Sequence, residues 1–359
     1  LTQALGNMDV TVLNPRRPDW NPAWRPDADE PEFRRQVEWE LAALESADII
    51  GTEFGLLTAA VDAVARHDAA GPFSGGAVGT RLAWQDYVAG GSTDTPPAVE
   101  YSAAAFLLEE MDIGRLRLQG GARVDWHHIE PLETETELDI GDVRTRTFAS
   151  VSGSLGGLYA LSPTVTIGAS VARAYRTPDI GELFSQGPHL AAYSFEVGNP
   201  DLQAETGLGI DAFLRVATDR VHGEVAAFRN ALNGYIYYRD TGGISRTGLP
   251  IYQATGADAL LEGFEGTLSI EPLRHVLLSG MLAYVRGTLT SQDEPLPMIP
   301  PLRGQVTARY ERPRYFAGAS WRGTAAQERV AVQEFETRTP GHGIVDLDAG
   351  YRWLAFGRV

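Results

Sequence analysis

The chain has 359 residues, and 47 Asp and Glu against 30 Lys and Arg give it a formal net charge of −17, which argues against nucleic acid as a partner because phosphate binding needs a basic face. It has no Cys, which excludes a disulfide framework, a thiolate metal site and a cysteine nucleophile. No apolar run approaches the roughly 18 residues of a transmembrane helix, although the strands of a membrane barrel need no such run.

The first part of the chain does not show a regular period. Residues 1–34 are rich in Pro and Trp, as in Asn14-Pro15-Arg16-Arg17-Pro18, and we predict a loop or partial segment because Pro disfavours helix interiors and sheet ladders. After this segment, Val37, Leu41 and Leu44 have helical spacing, while Val37-Glu38-Trp39-Glu40-Leu41 alternates like a strand. We interpret this stretch as strand because the later part of the chain alternates in the same way, and assign residues 35–359 to one domain.

From about Gly76 onward the hydrophobic period is two. Between residues 114 and 126, Leu116, Leu118 and Val124 share one parity, whereas Arg117 and Arg123 share the other. The same split recurs in 204–216, 302–311 and 344–353. These runs have about 10–13 residues, whereas soluble strands average about 5–6 and a tilted membrane strand needs about 9–11. The pattern therefore predicts membrane-spanning β-strands with one apolar and one polar face.

The connections between these strands alternate in length. Short ones are predicted near residues 161–163, 218–219, 271–274 and 313, and long ones near 129–145, 177–202, 239–257, 288–301 and 325–342. Outer-membrane barrels have short periplasmic turns and long extracellular loops. We therefore predict an all-β, antiparallel up-and-down transmembrane barrel. The side chains predicted to face lipid are Leu116, Leu118, Val124, Leu208, Ile210 and Leu214. The aromatic side chains predicted to form girdles at the membrane interfaces are Trp84, Trp126, Tyr310, Trp321, Tyr351 and Trp353.

One long segment carries a family resemblance. It begins with Ala172-Arg173-Ala174-Tyr175-Arg176-Thr177-Pro178-Asp179-Ile180-Gly181-Glu182-Leu183-Phe184 and continues through Gly187-Pro188-His189 to Phe195-Glu196-Val197-Gly198-Asn199-Pro200-Asp201-Leu202-Gln203-Ala204-Glu205-Thr206. Ala105-Phe106-Leu107-Leu108-Glu109-Glu110 and Ile299-Pro300-Pro301-Leu302-Arg303 support it. These segments resemble the barrel of TonB-dependent outer-membrane receptors over residues 76–353, in a style similar to the zinc-uptake members.

The resemblance implies a barrel of about 22 strands with an N-terminal plug in its lumen, and a TonB box. It implies location in the Gram-negative outer membrane, contact with lipid and lipopolysaccharide, and energised uptake of a metal ion, siderophore or similar scarce nutrient. We identify only about 13–14 strands, no plug and no TonB box, so we expect an incomplete barrel that meets the TonB complex through a missing N-terminal region. We expect no cofactor, with a divalent metal ion entering only as transported substrate.

The motif itself supplies candidate substrate contacts. His189, Asp179, Glu182 and Glu196 lie in the loop that follows its first strand, and Arg173 and Arg176 end that strand. Arginine suits bidentate contact with carboxylates of an acidic ligand or a plug. The alternative interpretation is architectural, because Asp179 after Pro178 can cap a turn and the arginines can balance carboxylates on neighbouring strands.

A second candidate is a metal site at the start of the 129–145 connection. His127, His128, Glu130 and Glu133 follow Asp125 there, and imidazole and carboxylate groups suit divalent cations. Adjacent residues of a strand face opposite ways, so only one of the two histidines can belong to a given site. The alternative is a solvated acidic loop.

Two other functions remain open at this point. A passive porin-like channel would share the barrel architecture. A surface enzyme would need paired catalytic residues, but the sequence contains no Gly-x-Ser-x-Gly elbow and no His-Glu-x-x-His motif, so we expect no enzymatic activity.

Overall fold

The computed structural model describes residues 53–90, 95–134, 140–189, 192–334 and 336–353. The predicted loop over 1–34 and the boundary at residue 35 lie outside these ranges. The described chain forms strands β1 (Glu53–His67), β2 (Gly75–Gly90), β3 (Ala98–Ile113), β4 (Leu116–Pro131), β5 (Arg146–Ser162), β6 (Val165–Arg176), β7 (Gln186–His189), β8 (Ser194–Val197), β9 (Glu205–Ala217), β10 (Val221–Ile244), β11 (Pro250–Leu273), β12 (Val276–Leu289), β13 (Glu294–Pro295), β14 (Arg303–Glu311), β15 (Tyr315–Thr324) and β16 (His342–Tyr351). Two short helical segments accompany them, α1 (Ile180–Phe184) and a 3-10 turn (Val332–Glu334).

The strands form one antiparallel up-and-down sheet. Thirteen of them lie side by side in the order β1-β2-β3-β4-β5-β6-β9-β10-β11-β12-β14-β15-β16, and β7, β8 and β13 are attached as short side pairings. Within the described ranges, β1 and β16 are the two ends of this path, so the sheet is not closed. The structure confirms the predicted fold class. Among the described residues, no helix is long and apolar enough to span a membrane.

Short and long connections alternate, as predicted. The short ones comprise residues 68–74, 114–115, 163–164, 218–220, 274–275 and 312–314, and the longer ones include 132–145, 177–204, 290–302 and 325–341. One predicted loop was wrong: residues 239–257 mostly belong to β10 and β11, which pair up to Ile244 and Pro250 and leave only 245–249 as a turn. One end of the described sheet carries these six short connections. The other end, which we call the loop end, carries the longer connections and the turn 245–249.

The two faces of the sheet have different chemistry. Residues directly opposite in an antiparallel pair share a face, so Val124 shares one with Ala105 and Val151, and Ile210 shares it with Val171. On this apolar face Val124, Leu208 and Ile210 are about half exposed and Leu214 is 40% exposed, while Leu116 and Leu118 are half-buried. Such side chains need an apolar surrounding, which lipid supplies.

Aromatic side chains occupy both margins of the apolar face. Tyr159, Tyr310, Tyr315 and Tyr351 lie close to the short turns, whereas Trp126 and Trp321 lie toward the loop end. Two aromatic girdles of this kind mark the two interfaces of a membrane.

The buried core lies at the loop end. One cluster joins Ile129 and Phe148 of β4 and β5 with Leu183 and Phe184 of α1 and with Ile236 of β10. A second cluster joins Tyr237, Ala259, Leu289 and Leu296. The longer connections are therefore packed against the loop end of the sheet, where they build the candidate site.

Candidate functional site

The loop after β6 begins with a capped helix. Asp179 is the N-cap of α1 and accepts a hydrogen bond from the Glu182 amide at 2.7 Å, while the Asp179 amide donates to the Glu182 carboxylate at 3.0 Å. This reciprocal capping box satisfies two amides that the helix itself cannot pair. Asp179 thus caps a helix where the sequence suggested a turn. Leu183 and Phe184 are fully buried, so α1 anchors the loop.

The residues that follow β8, Gly198 and Asn199, pack closely against α1. The amides of Gly198 and Asn199 donate to the carbonyls of Ser185 at 2.7 Å and Glu182 at 2.8 Å. A Cβ atom at Gly198 would lie 2.9 Å from the backbone of Leu183, closer than real Cβ atoms come. Asn199 also donates through its side chain to the Ala254 carbonyl of β11 at 3.2 Å. Much of the motif therefore builds the loop.

Arg176 joins two strands to the helix. Its guanidinium donates to both oxygens of Glu205 at 2.9 Å and to both oxygens of Glu182 at 2.8 and 3.0 Å. Glu205 also accepts the Ile236 amide. The two carboxylate side chains are only 14% and 13% exposed. Arg176 and Glu182, predicted as substrate contacts, are thus engaged with each other, as the alternative of charge balance described.

His189 and Glu196 meet on the β7–β8 hairpin. His189 Nδ1 lies 2.7 Å from Glu196 Oε1, and the Ser194 hydroxyl donates to the same oxygen at 3.1 Å. The hairpin is held by parallel pairing of β8 with β11, where Phe195 is opposite Ile251. The His189 side chain is 55% exposed. Its role as a substrate contact stays a prediction, with Glu196 as its partner.

His127 is the best-placed metal-ligating side chain on the polar face. Its Nδ1 atom lies 2.9 Å from Glu100 Oε1, and its ring centroid lies 6.4 Å from that of Tyr175. The hydroxyl oxygens of Tyr175 and Ser150 are buried and have no hydrogen-bond partner in the described part of the chain. A cavity of about 800 Å³ adjoins this group. Its lining includes Phe106, Leu108, Arg123, Asp125, His127 and Tyr175.

The other predicted metal ligands are not gathered with His127. His128 faces the apolar side, where its ring stacks on Trp126 with centroids 5.6 Å apart and its Nδ1 lies 2.8 Å from the Thr147 hydroxyl. Glu130 and Glu133 are exposed. Within the described ranges, which omit 135–139, no three His, Asp or Glu side chains form a group that could hold a metal ion. The four-residue metal site stays a prediction.

Arg173 marks a place where the sheet separates. β5 and β6 pair from Ser162 and Val165 up to Gly153 and Arg173, and beyond this point residues 146–152 of β5 pair only with β4. By register, Arg173 shares the apolar face with Gly153. Its guanidinium donates to the Val151 carbonyl and lines the opening between the two strands.

A further polar contact, made by Glu334, has no signal in the sequence. Glu334, in the connection between β15 and β16, accepts the Asp240 amide of β10 at 2.8 Å, and its carbonyl accepts the Tyr252 hydroxyl of β11 at 3.4 Å. Burial raises the pKa of the Glu334 carboxyl. An isolated acid in a predicted loop gives no sequence signal for a contact with a strand more than 90 residues away.

The long alternating strands and the apolar face between aromatic girdles are those of the wall of an outer-membrane β-barrel. The sequence matches the family described as "TonB dependent receptor-like, beta-barrel" over residues 20–359. The chain belongs to this family, whose members are outer-membrane proteins of Gram-negative bacteria and are not enzymes.

Similar proteins agree in fold. A hemin receptor from Yersinia pestis is 25% identical over 299 residues, which are 76% of this chain and 41% of that protein. The copper transporter OprC superposes with a TM-score of 0.73 at 23% identity, over 84% of this chain and 49% of OprC. The FrpB iron transporter from Neisseria meningitidis gives 0.62 at 12% identity, over 83% and 48% of the two chains. The chain thus spans about half the length of these relatives or less.

Proposed function

We propose that the complete gene product imports a metal-containing nutrient through a TonB-dependent step, and that this nutrient is haem. The single observation that carries the choice of haem is the His127–Glu100 pair on the polar face, with the ring of Tyr175 6.4 Å from that of His127. A histidine that ligates a metal almost always donates its other ring nitrogen to a carboxylate, carbonyl or water, which fixes the tautomer and makes the free nitrogen a better ligand. With Nδ1 directed at Glu100, Nε2 of His127 is the nitrogen left for iron.

The surroundings of His127 suit an amphipathic macrocycle. Phe106 and Leu108 line the same cavity and offer apolar contacts, while Arg123 stands at its polar side. Haem iron is commonly held by His and in some proteins by Tyr, so Tyr175 is a second candidate ligand. The similarity to the hemin receptor from Yersinia pestis also supports haem as the cargo.

A bare metal ion is the second candidate cargo. The superposition with the copper transporter OprC favours it, and so does the predicted ligand set of His127, His128, Glu130 and Glu133. Against it, the described residues offer no group of three acidic or imidazole ligands, whereas haem brings four of its iron ligands with it. The passive channel gains no support from the similar proteins.

Growth on haem tests this proposal. The complete gene is expressed in a Gram-negative strain that neither makes haem nor has its own haem receptor, and growth is measured at limiting haem, with and without a working TonB system. Growth should require both haem and TonB. His127→Ala should raise the haem concentration needed for half-maximal growth about tenfold or more, and Glu100→Gln should act in the same direction.

The matched control is His222→Ala, because His222 lies on the same polar face but close to the short turns. It should behave as the unaltered protein does. Growth without TonB, or equal growth of the His127 and His222 variants, would contradict the proposal. If the protein takes up radioactive copper but does not support growth on haem, the bare metal ion is the cargo.

A further inference from the structure

The opening between β5 and β6 adjoins the cavity beside His127. It contains a second cavity of about 670 Å³, whose lining includes Ser150, Arg173 and Tyr175. Asp125, Arg173 and Tyr175 line both this cavity and the one beside His127. A molecule held at His127 can therefore extend one of its groups into the opening.

Three side chains offer hydrogen-bond donors at the opening. The hydroxyls of Ser150 and Tyr175 are buried and have no partner in the described part of the chain. The guanidinium of Arg173 donates to the Val151 carbonyl, and among the described residues it pairs with no carboxylate. Since a guanidinium carries five N–H donors, most of those of Arg173 remain for another acceptor.

The backbone of β5 adds donors to the same place. Beyond Gly153, β5 has no strand partner on the side of β6 within the described ranges. The Val151 carbonyl points to this side, because it accepts the Arg173 guanidinium, and the amide of the same residue in an extended strand points the same way. The amides of Val151 and of Ala149, two residues away, therefore face the opening.

The negative charge at the opening is already compensated. Asp125 lines the cavity, and its side chain is only 9% exposed. Arg123 Nε donates to both oxygens of Asp125, at 2.8 and 2.9 Å. Because Arg123 neutralises this carboxylate, the charge of Arg173 makes the opening positive, which suits an anionic group.

We propose that the opening binds a carboxylate group of the cargo, with Arg173, Ser150 and Tyr175 as the side-chain donors. The proposal rests on the proposed function, because haem carries two propionate carboxylates at one edge of its macrocycle. Hydrogen bonds from a guanidinium to a carboxylate are short and strong, and the planar fork of arginine matches the two carboxylate oxygens. With the Tyr175 hydroxyl assigned to the carboxylate, His127 is the iron ligand.

Titration of the purified complete protein in detergent with haem and with haem dimethyl ester tests this subsite. The ester keeps the iron and the macrocycle but has no free carboxylate. The Soret absorbance gives the dissociation constant and also reports the ligand of the iron. Hydrogen bonds to a charged group contribute enough that the unaltered protein should bind haem roughly 10- to 150-fold more tightly than the ester.

Substitutions separate the carboxylate subsite from the iron ligand. R173Q should weaken haem binding about tenfold or more and leave the affinity for the ester unchanged, while R173K, which keeps the charge, should restore part of the loss. Tyr175→Phe should weaken haem binding about fivefold without changing the Soret spectrum at saturation. His127→Ala should change the Soret spectrum with either ligand.

R115Q is the matched control, because Arg115 also donates to a carbonyl of β5, that of Leu161 at 3.3 Å, but at the short-turn end of the strand. It should bind both ligands as the unaltered protein does, and heat-dependent electrophoretic mobility confirms the folding of each variant. Absence of haem binding would refute the proposed function and this inference with it. If haem binds through His127 but the ester binds equally well, or if R173Q weakens both ligands equally, this inference alone is overturned.

Discussion

Removal of the Arg176 side chain is the sharpest test of how the motif loop is held. Arg176 makes four hydrogen bonds to Glu182 and Glu205, whose side chains are 14% and 13% exposed. Breaking a buried pair by removing one partner costs about 3–5 kcal/mol, since the other charge is left uncompensated. Arg176 itself is 42% exposed, so solvent screening reduces the cost of Arg176→Gln to about 2–3 kcal/mol.

The cost should appear as local opening of the loop. Hydrogen exchange followed by mass spectrometry measures it at amides such as those of Leu183 and Ser185, which donate within α1. A loss of about 2–3 kcal/mol lowers protection roughly 30- to 140-fold.

The same loop offers a matched control. Arg144 pairs with Asp201, whose side chain is 78% exposed, and surface pairs contribute at most about 1 kcal/mol. Arg144→Gln should therefore lower protection less than about sixfold. A change below threefold in Arg176→Gln, or equal changes in the two variants, would refute the argument that Arg176 fastens the loop.

Three other substitutions address neighbouring contacts. Asp179→Ala removes the N-cap of α1 and should cost about 1 kcal/mol, seen as about fivefold faster amide exchange in α1, whereas Asp179→Asn should be nearly neutral. Gly198→Ala places a methyl group 2.9 Å from the backbone of Leu183, so limited proteolysis should cleave the β7–β8 hairpin of this variant faster. Gly120→Ala is the control, because the atom nearest to its new methyl group is 3.7 Å away. Equal cleavage of the two variants would refute the steric argument. Because the pKa of Glu334 is raised in the folded protein, its protonated carboxyl stabilises the docked β15–β16 connection fully below pH 4.5, the ordinary pKa of Glu. This contribution is lost as the pH rises through the pKa of Glu334 in the folded protein. Protection of the Asp240 amide, corrected for intrinsic exchange, should fall over that range and should be independent of pH in Glu334→Gln.

The strands within the membrane could be predicted because their two faces meet different surroundings, and this difference determines which residues alternate along the sequence. Lipid on one side and polar surroundings on the other force the alternation of Leu208 and Ile210 with Gly209 and Asp211. Outside the membrane this contrast disappears. Ile236 and Tyr237 are adjacent in β10 and face opposite ways, yet both are buried, because loops cover both sides. The period of two is lost there, which is why alternation does not reveal residues 239–257 as strand.

The candidate site was predictable only where its contacts are local. The spacing of Asp179 and Glu182 is that of a capping box, so their interaction is encoded within one turn. The pairs Glu100–His127 and Arg176–Glu205 join residues on neighbouring strands, and they depend on a register that the sequence does not fix by itself. The contact of Glu334 with β10 depends on the docking of a distant loop and has no local signature.

The length of β10 and β11 has a consequence beyond the membrane. Each strand has 24 residues, whereas a bilayer crossing uses about 9–11, so roughly 13 residues, or about 40 Å of strand, extend past the headgroups. Support from β8 along Ile251–Gln253 stiffens this ribbon near its upper part. Its turn, residues 245–249, is therefore separated by this length of paired strand from the membrane-spanning part of β10 and β11.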